Sequence, residues 1–167
     1  MKHIFIYIAA CLLPICTSLS ATPLHEGDSP VAVILDSNKE TKILDGTKLK
    51  IAKPFLKRTP MGVIIDEINM LAICPLELDP QEDSFNFTIE AQKILKGYNL
   101  VKEIDDEKST MTIYIDTPQN DRFSEIVLYN TKPEASIMLF VGDFTVESLI
   151  KVGEVSEQQR KNLKKNK

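Results

Sequence analysis

Apolar and polar positions alternate most regularly from the middle of the chain onward. Ile68, Met70, Ala72 and Cys74 interleave with Asn69, Leu71 and Ile73 before Pro75 ends the run, which predicts a strand with much of both faces buried. Four more strands are expected at Leu100 to Ile104, Thr110 to Asp116, Phe123 to Tyr129 and Ala135 to Val141, separated by short polar breaks. That succession reads as an antiparallel meander. Met111, Ile113 and Ile115 take one side of their strand, and Thr110, Thr112, Tyr114 and Asp116 the other. Ile137 to Val141 is apolar on both sides, the pattern of a central strand.

Helical spacing is clearest between Ser84 and Lys96, where Phe87, Ala91, Ile94 and Leu95 recur on one face. Asp83 or Ser84 is placed to cap this helix and Gly97 to end it. Gly142 to Thr145 reads as a turn into a short last helix, Val146 to Lys151. Nearer the start, Val31 to Leu35 reads as a short strand, and Lys48 to Ala52 as a second one entering a short helix around Pro54 to Lys57. The sum is an α+β domain over residues 31 to 152. It is expected to have two layers, with one main helix packed on an antiparallel sheet of the four-strand meander plus one or two further strands. A charged tail follows from residue 153, with Arg160, Lys161, Lys164, Lys165 and Lys167, expected to be solvated.

The N-terminus has a different pattern. Met1, Lys2 and His3 make a short basic start, and Ile4 to Ile15 is an apolar run broken only by Pro14. The run is shorter than the roughly 18 to 20 residues needed to cross a membrane, and small residues follow it, so it reads as a removable secretion signal. Ser18 and Ser20 place small side chains where a signal peptidase reads, and cleavage is expected after Ser20, with Ala21 the second choice. Lipidation is the rival reading. Cys11 lies too early in the apolar run for it, and Ile15 before Cys16 is too large. Thr22 to Pro30 is polar, contains two prolines and reads as a flexible leader.

Removing residues 1–20 changes the chemistry available. Cys11 and Cys16 leave with the signal, so Cys74 is alone and no disulfide within the chain is expected, although an exported compartment would permit one. The remainder holds 24 acids against 19 bases, a net charge of −5, which does not suit a nucleic-acid binder. One histidine, His25, remains and it lies in the leader. Catalysis by a positioned imidazole and zinc sites built from Cys and His are therefore not expected. The six glycines stand apart and make no phosphate-binding loop.

Carboxylates are the remaining reactive groups. Asp66 and Glu67 follow an apolar run, Asp105, Asp106 and Glu107 lie in a predicted hairpin, and Asp116 and Asp121 bracket another. Acids in hairpins are usually solvated turn formers. Asp79 to Glu90 has a faint calcium-loop spacing, but Ser84 stands where the turn glycine belongs and Asn86 where an apolar residue belongs, so helix capping is the better account. No catalytic, cofactor-binding or metal-binding residue is assigned.

The stretch from Phe123 to Val152, with its strand, its Gly142-Asp143-Phe144 step and its terminal helix, resembles the C-terminal half of an exported family of unknown function, DUF4252, common in Bacteroidetes. Leu49 to Lys57 is similar to that family's Lys-rich short helix. The resemblance covers residues 47 to 152 and implies an exported α+β envelope protein without an assigned activity. The expected function is that of a non-enzymatic module, in the periplasm or associated with the cell envelope, that binds another envelope protein or a peptide. Membrane contact is expected only through lipidation or the basic tail. The alternative is a small-ligand or lipid-binding protein with a pocket between helix and sheet, lined by Met70, Met111 and Met138. A carboxylate-dependent hydrolase using Asp66 or Asp116 is a third reading.

Overall fold

A computed structural model of the chain describes residues 29–79, 85–106, 109–132 and 134–165. The expected secretion signal with its cut at Ser20 or Ala21, most of the expected leader including His25, the expected cap at Asp83 or Ser84 and the core of the calcium-like spacing lie outside the described residues.

Six strands form one sheet, in the order β1 (Lys42–Asp45), β2 (Ile68–Pro75), β6 (Ser136–Thr145), β5 (Arg122–Lys132), β4 (Ser109–Ile115) and β3 (Asn99–Asp106). Every neighbouring pair is antiparallel. The class is α+β as the pattern predicts, and β3 to β6 make the expected meander. β6 lies between β2 and β5, so both of its edges are bonded. Its apolar run alternates as a pleated strand must: Ile137 and Leu139 point to one face, Met138 and Phe140 to the other, and all four are at most 1% exposed.

Among the described residues four helices cover the sheet, and they lie on both faces. Helices α1 (Pro30–Ser37) and α3 (Phe85–Leu95) share one apolar cluster with Ala72, Val127, Ile137 and Leu139. Helices α2 (Gly46–Leu56) and α4 (Val146–Lys165), with a 3-10 turn at Pro60–Ile64, share the other with Leu71, Ile126, Leu128 and Phe140. The structure thus adds a third layer to the two expected. The physical reason is that β2, β5 and β6 are apolar on both faces, and each face must be kept from water.

The extra helices come from segments whose local pattern is misleading. Val31 to Leu35 is helical, because Ser29 Oγ accepts a hydrogen bond from Ala32 N–H at 2.9 Å and Pro30 occupies the first turn, where no N–H is needed. Val31, Ala32, Ile34 and Leu35 face inward while Val33 is 59% exposed. So short an apolar run does not distinguish strand from helix. Likewise Lys48 to Ala52 belongs to α2, which begins after Asp45 with Gly46 at φ +42° and continues through Pro54. Leu49, Ala52 and Leu56 are all buried, and that packing offsets the hydrogen bond lost at the proline.

Gly142 to Thr145 also departs from expectation, since these residues continue β6 instead of turning. The registers of β2 and β5 against β6 both shift at this point, as β-bulges allow. Asp143 N–H donates to the Glu67 carbonyl at 3.2 Å, and the Arg122 guanidinium bonds the Asp143 carboxylate across the β5–β6 ladder. Thr145 Oγ1 then accepts from Ser148 N–H at 3.1 Å and caps α4. Ser148 Oγ donates to Glu67 Oε1 at 2.9 Å, fixing the helix to the chain before β2. The last helix spans 20 residues rather than the short Val146 to Lys151 stretch, helped by the Glu147–Lys151 ion pair one turn apart.

Candidate functional site

The end of the sheet where β3 begins brings several polar side chains around one pocket. Helix α3 ends at Leu95, and Gly97 and Tyr98 lead into β3. Opposite them Asp116 and Thr117 leave β4, Ser124 and Glu125 lie early in β5, and Ser29 and Pro30 open α1. These residues line an open pocket of about 370 Å³. Glu125 shares its sheet face with Val127 and is only 6% exposed. Tyr98 Oη donates to Glu125 Oε2 at 2.5 Å, which supplies the partner a buried carboxylate requires. Burial first, and then this hydrogen bond to Glu125, raise the Tyr98 phenol well above its ordinary range. It therefore keeps the proton it donates.

Asp116 does a different job in the same wall. Its Oδ2 accepts from Ser124 Oγ at 2.7 Å, and its Oδ1 accepts from the backbone N–H groups of Ser124 and Glu125, each at 3.1 Å. The carboxylate thus acts as a clasp between β4 and β5 where the ladder ends. Two carboxylates beside phenol and alcohol hydroxyls, with neither imidazole nor thiol in the lining, make a site suited to a cationic group such as an amine or guanidinium.

The structure scatters the other acids. Asp66 is 92% exposed, with Lys53 Nζ 4.0 Å away. Asp105 accepts from Thr110 Oγ1 at 2.9 Å in the β3–β4 hairpin. Asn120 and Asp121, at φ 51° and 62°, form the two-residue tip of the β4–β5 hairpin, the left-handed conformation such turns require. Asp66 and Asp116 therefore belong to different parts of the fold, and no group of three or more metal-binding side chains occurs among the described residues. The methionines divide as well. Met111 and Met138 are buried in the α2–α4 core, whereas Met70 packs against the α1–α3 core, so the three do not line one cavity.

Cys74 is fully buried under α1, and its Sγ–H donates to the Pro75 carbonyl at 3.2 Å. Burial pushes its thiol up to about 11. Both effects oppose formation of the reactive thiolate. Iodoacetamide is accordingly expected to leave Cys74 unmodified in the folded protein at neutral pH and to label it once urea unfolds the chain; peptide mass spectrometry before and after unfolding reads the difference at this residue.

Beside the pocket runs the outer edge of β3, whose inner edge pairs with β4. Leu100 is 59% exposed and Val101 41%. The register shifts between Leu100 and Lys102, and exposed Lys102, Glu103 and Asp105 follow. A bulge and charges are the usual means of blunting a sheet edge against self-association. Here the charges guard the later part of β3, whereas the bulge falls at Val101, within the apolar start next to the pocket.

Residues 36–152 match the family model described as Domain of unknown function (DUF4252). The chain belongs to this family. No curated protein and no solved structure matches it. The DUF4252 region contains all six strands, the Lys-rich α2 and most of the pocket, and it starts earlier than the residue 47 expected from the sequence. Ser29 and Pro30, which cap α1 and close one side of the pocket, precede it. In this DUF4252 member the Tyr98–Glu125 pair is foreshadowed by one signal only: an acid directly before the buried run Ile126 to Leu128, at the same strand parity as Val127.

Proposed function

We propose that the protein is an exported, non-enzymatic module of the cell envelope, of the kind common in Bacteroidetes, that binds a peptide or a segment of another envelope protein along the open start of β3. One observation carries this reading: Leu100 and Val101 stand exposed on an edge strand immediately beside an acidic pocket. An extended segment added to that edge gains backbone hydrogen bonds from β3 and apolar contact from Leu100 and Val101. A lysine, arginine or free amino terminus at its end meets Glu125 and Asp116. The covered faces of the sheet favour an edge over a face as the docking place. The retained phenol proton and the occupied Asp116 oxygens suit binding better than acid–base chemistry.

Replacing Leu100 and Val101 together with glutamate tests the reading. Crosslinking in intact envelopes followed by purification is expected to recover a defined partner with the natural chain and to lose it with the double variant, while thermal unfolding stays within a few degrees. Recovery of the same partner by both chains would dismiss the β3 edge.

A pocket for a small cationic ligand, without a peptide, is the second reading, and it rests on the same acidic lining. Glu125→Gln discriminates between the two. It is expected to abolish retention of a small amine while only weakening capture of a protein partner.

A further inference from the structure

Helix α2 presents two apolar stripes. Leu49, Ala52 and Leu56 face the core, as an amphipathic helix requires. On the outside, Ile51 is 53% and Phe55 41% exposed, four residues apart and therefore adjacent on the helix surface. Pro54 is exposed beside them. Val63, 44% exposed, follows on the 3-10 turn, which is held close because Gly62 lies against the Lys57 carbonyl.

Charge distinguishes this apolar ridge from ordinary surface. From Gly46 to Arg58 the chain carries Lys48, Lys50, Lys53, Lys57 and Arg58 and no acid, within a protein whose formal net charge is −4. Lys50, Lys57 and Arg58 are exposed, and Lys48 is half-buried. At 100° per residue, Lys48 lies on one flank of the Ile51–Phe55 ridge and Lys50 on the other, while Lys57 and Arg58 follow directly after the helix end at Leu56. Along the chain the acids that flank this stretch are Asp45, before the helix, and Asp66, whose carboxylate lies 4.0 Å from Lys53 Nζ.

We propose that the outer face of α2 docks on an anionic membrane surface, with Ile51 and Phe55 entering the boundary between headgroups and acyl chains while Lys50, Lys57 and Arg58 engage lipid phosphates. Cations flanking an apolar ridge match an interface in which phosphates lie just above hydrocarbon. An acidic protein would be served by the cations alone and would leave Phe55 and Ile51 without a role. The placement also agrees with the rest of the fold. Helix α2 packs over β1 and β2 at one edge of the sheet, and β3 forms the other edge. A chain resting on α2 turns the β3 edge away from the lipid, although the proposal does not depend on what β3 binds.

The chain contains no tryptophan, so Ile51→Trp in the full-length protein is a local fluorescent reporter, insensitive to membrane contact made elsewhere. With vesicles of phosphatidylcholine and phosphatidylglycerol, its emission is expected to shift to the blue and to be quenched by brominated acyl chains. Vesicles of phosphatidylcholine alone are expected to produce little change, and high salt to reverse the shift. Adding Lys50→Glu, Lys57→Glu and Arg58→Glu should lower the apparent partition by about a hundredfold or more, at roughly fivefold for each cation lost. Val33→Trp, on the opposite face, should remain unshifted, and far-UV circular dichroism establishes that each variant is folded. An Ile51→Trp emission that stays aqueous on anionic vesicles overturns the proposal. So does a response unchanged by the three reversals, or one elicited by polyglutamate and not by lipid.

Discussion

Phe140→Ala is expected to lower the unfolding free energy by about 3–5 kcal/mol, the usual range for emptying a large buried aromatic site. Phe140 is 0% exposed in the central strand. It lies opposite Leu71 on β2 and Ile126 on β5, and all three belong to the cluster beneath α2 and α4. Bonded strands on both sides leave the backbone little room to collapse into the cavity. Equilibrium urea unfolding, followed by circular dichroism, measures the change. A loss below about 1 kcal/mol would mean that β6 is not the centre of the sheet.

Gly142→Ala is expected to be almost as damaging, by about 3 kcal/mol or more, and for the opposite reason. A Cβ there would lie 2.0 Å from the Glu67 carbonyl oxygen and 2.7 Å from the Phe144 ring. The first contact is with backbone that also accepts the Asp143 N–H, so it cannot move aside without breaking the double bulge. Phe144 packs against Phe123 with ring centroids 5.6 Å apart, so disturbance spreads into the core. Gly153→Ala is the control, since a Cβ at that helical position meets nothing within 4 Å. It is expected to be neutral or slightly stabilising. Comparable urea midpoints for the two variants would remove the special role given to Gly142.

These two sites show what could be read in the sequence. The alternation through Ile137 to Phe140 identifies a strand buried on both sides, and with it the class and the meander, because periodicity of two is a local property. The sheet's second covered face was equally implied by that pattern, yet the helices that cover it were hidden. Five apolar residues at Val31 to Leu35 carry no period, and Pro54 argues locally against a helix that Leu49, Ala52 and Leu56 hold in place by tertiary packing. The bulge at Gly142 depends on a carbonyl 75 residues earlier in the chain, which no local signal announces. The pocket was still less legible, since Tyr98 and Glu125 are brought together only when β3 and β5 join one sheet.

Amide hydrogen exchange along β3, with and without the partner captured from envelopes, tests the central claim most directly. Binding at the open edge predicts slower exchange at Asn99 to Val101 and little change at β1, the opposite edge of the sheet. Unchanged exchange across β3, with protection elsewhere in a complex of full stoichiometry, would contradict it.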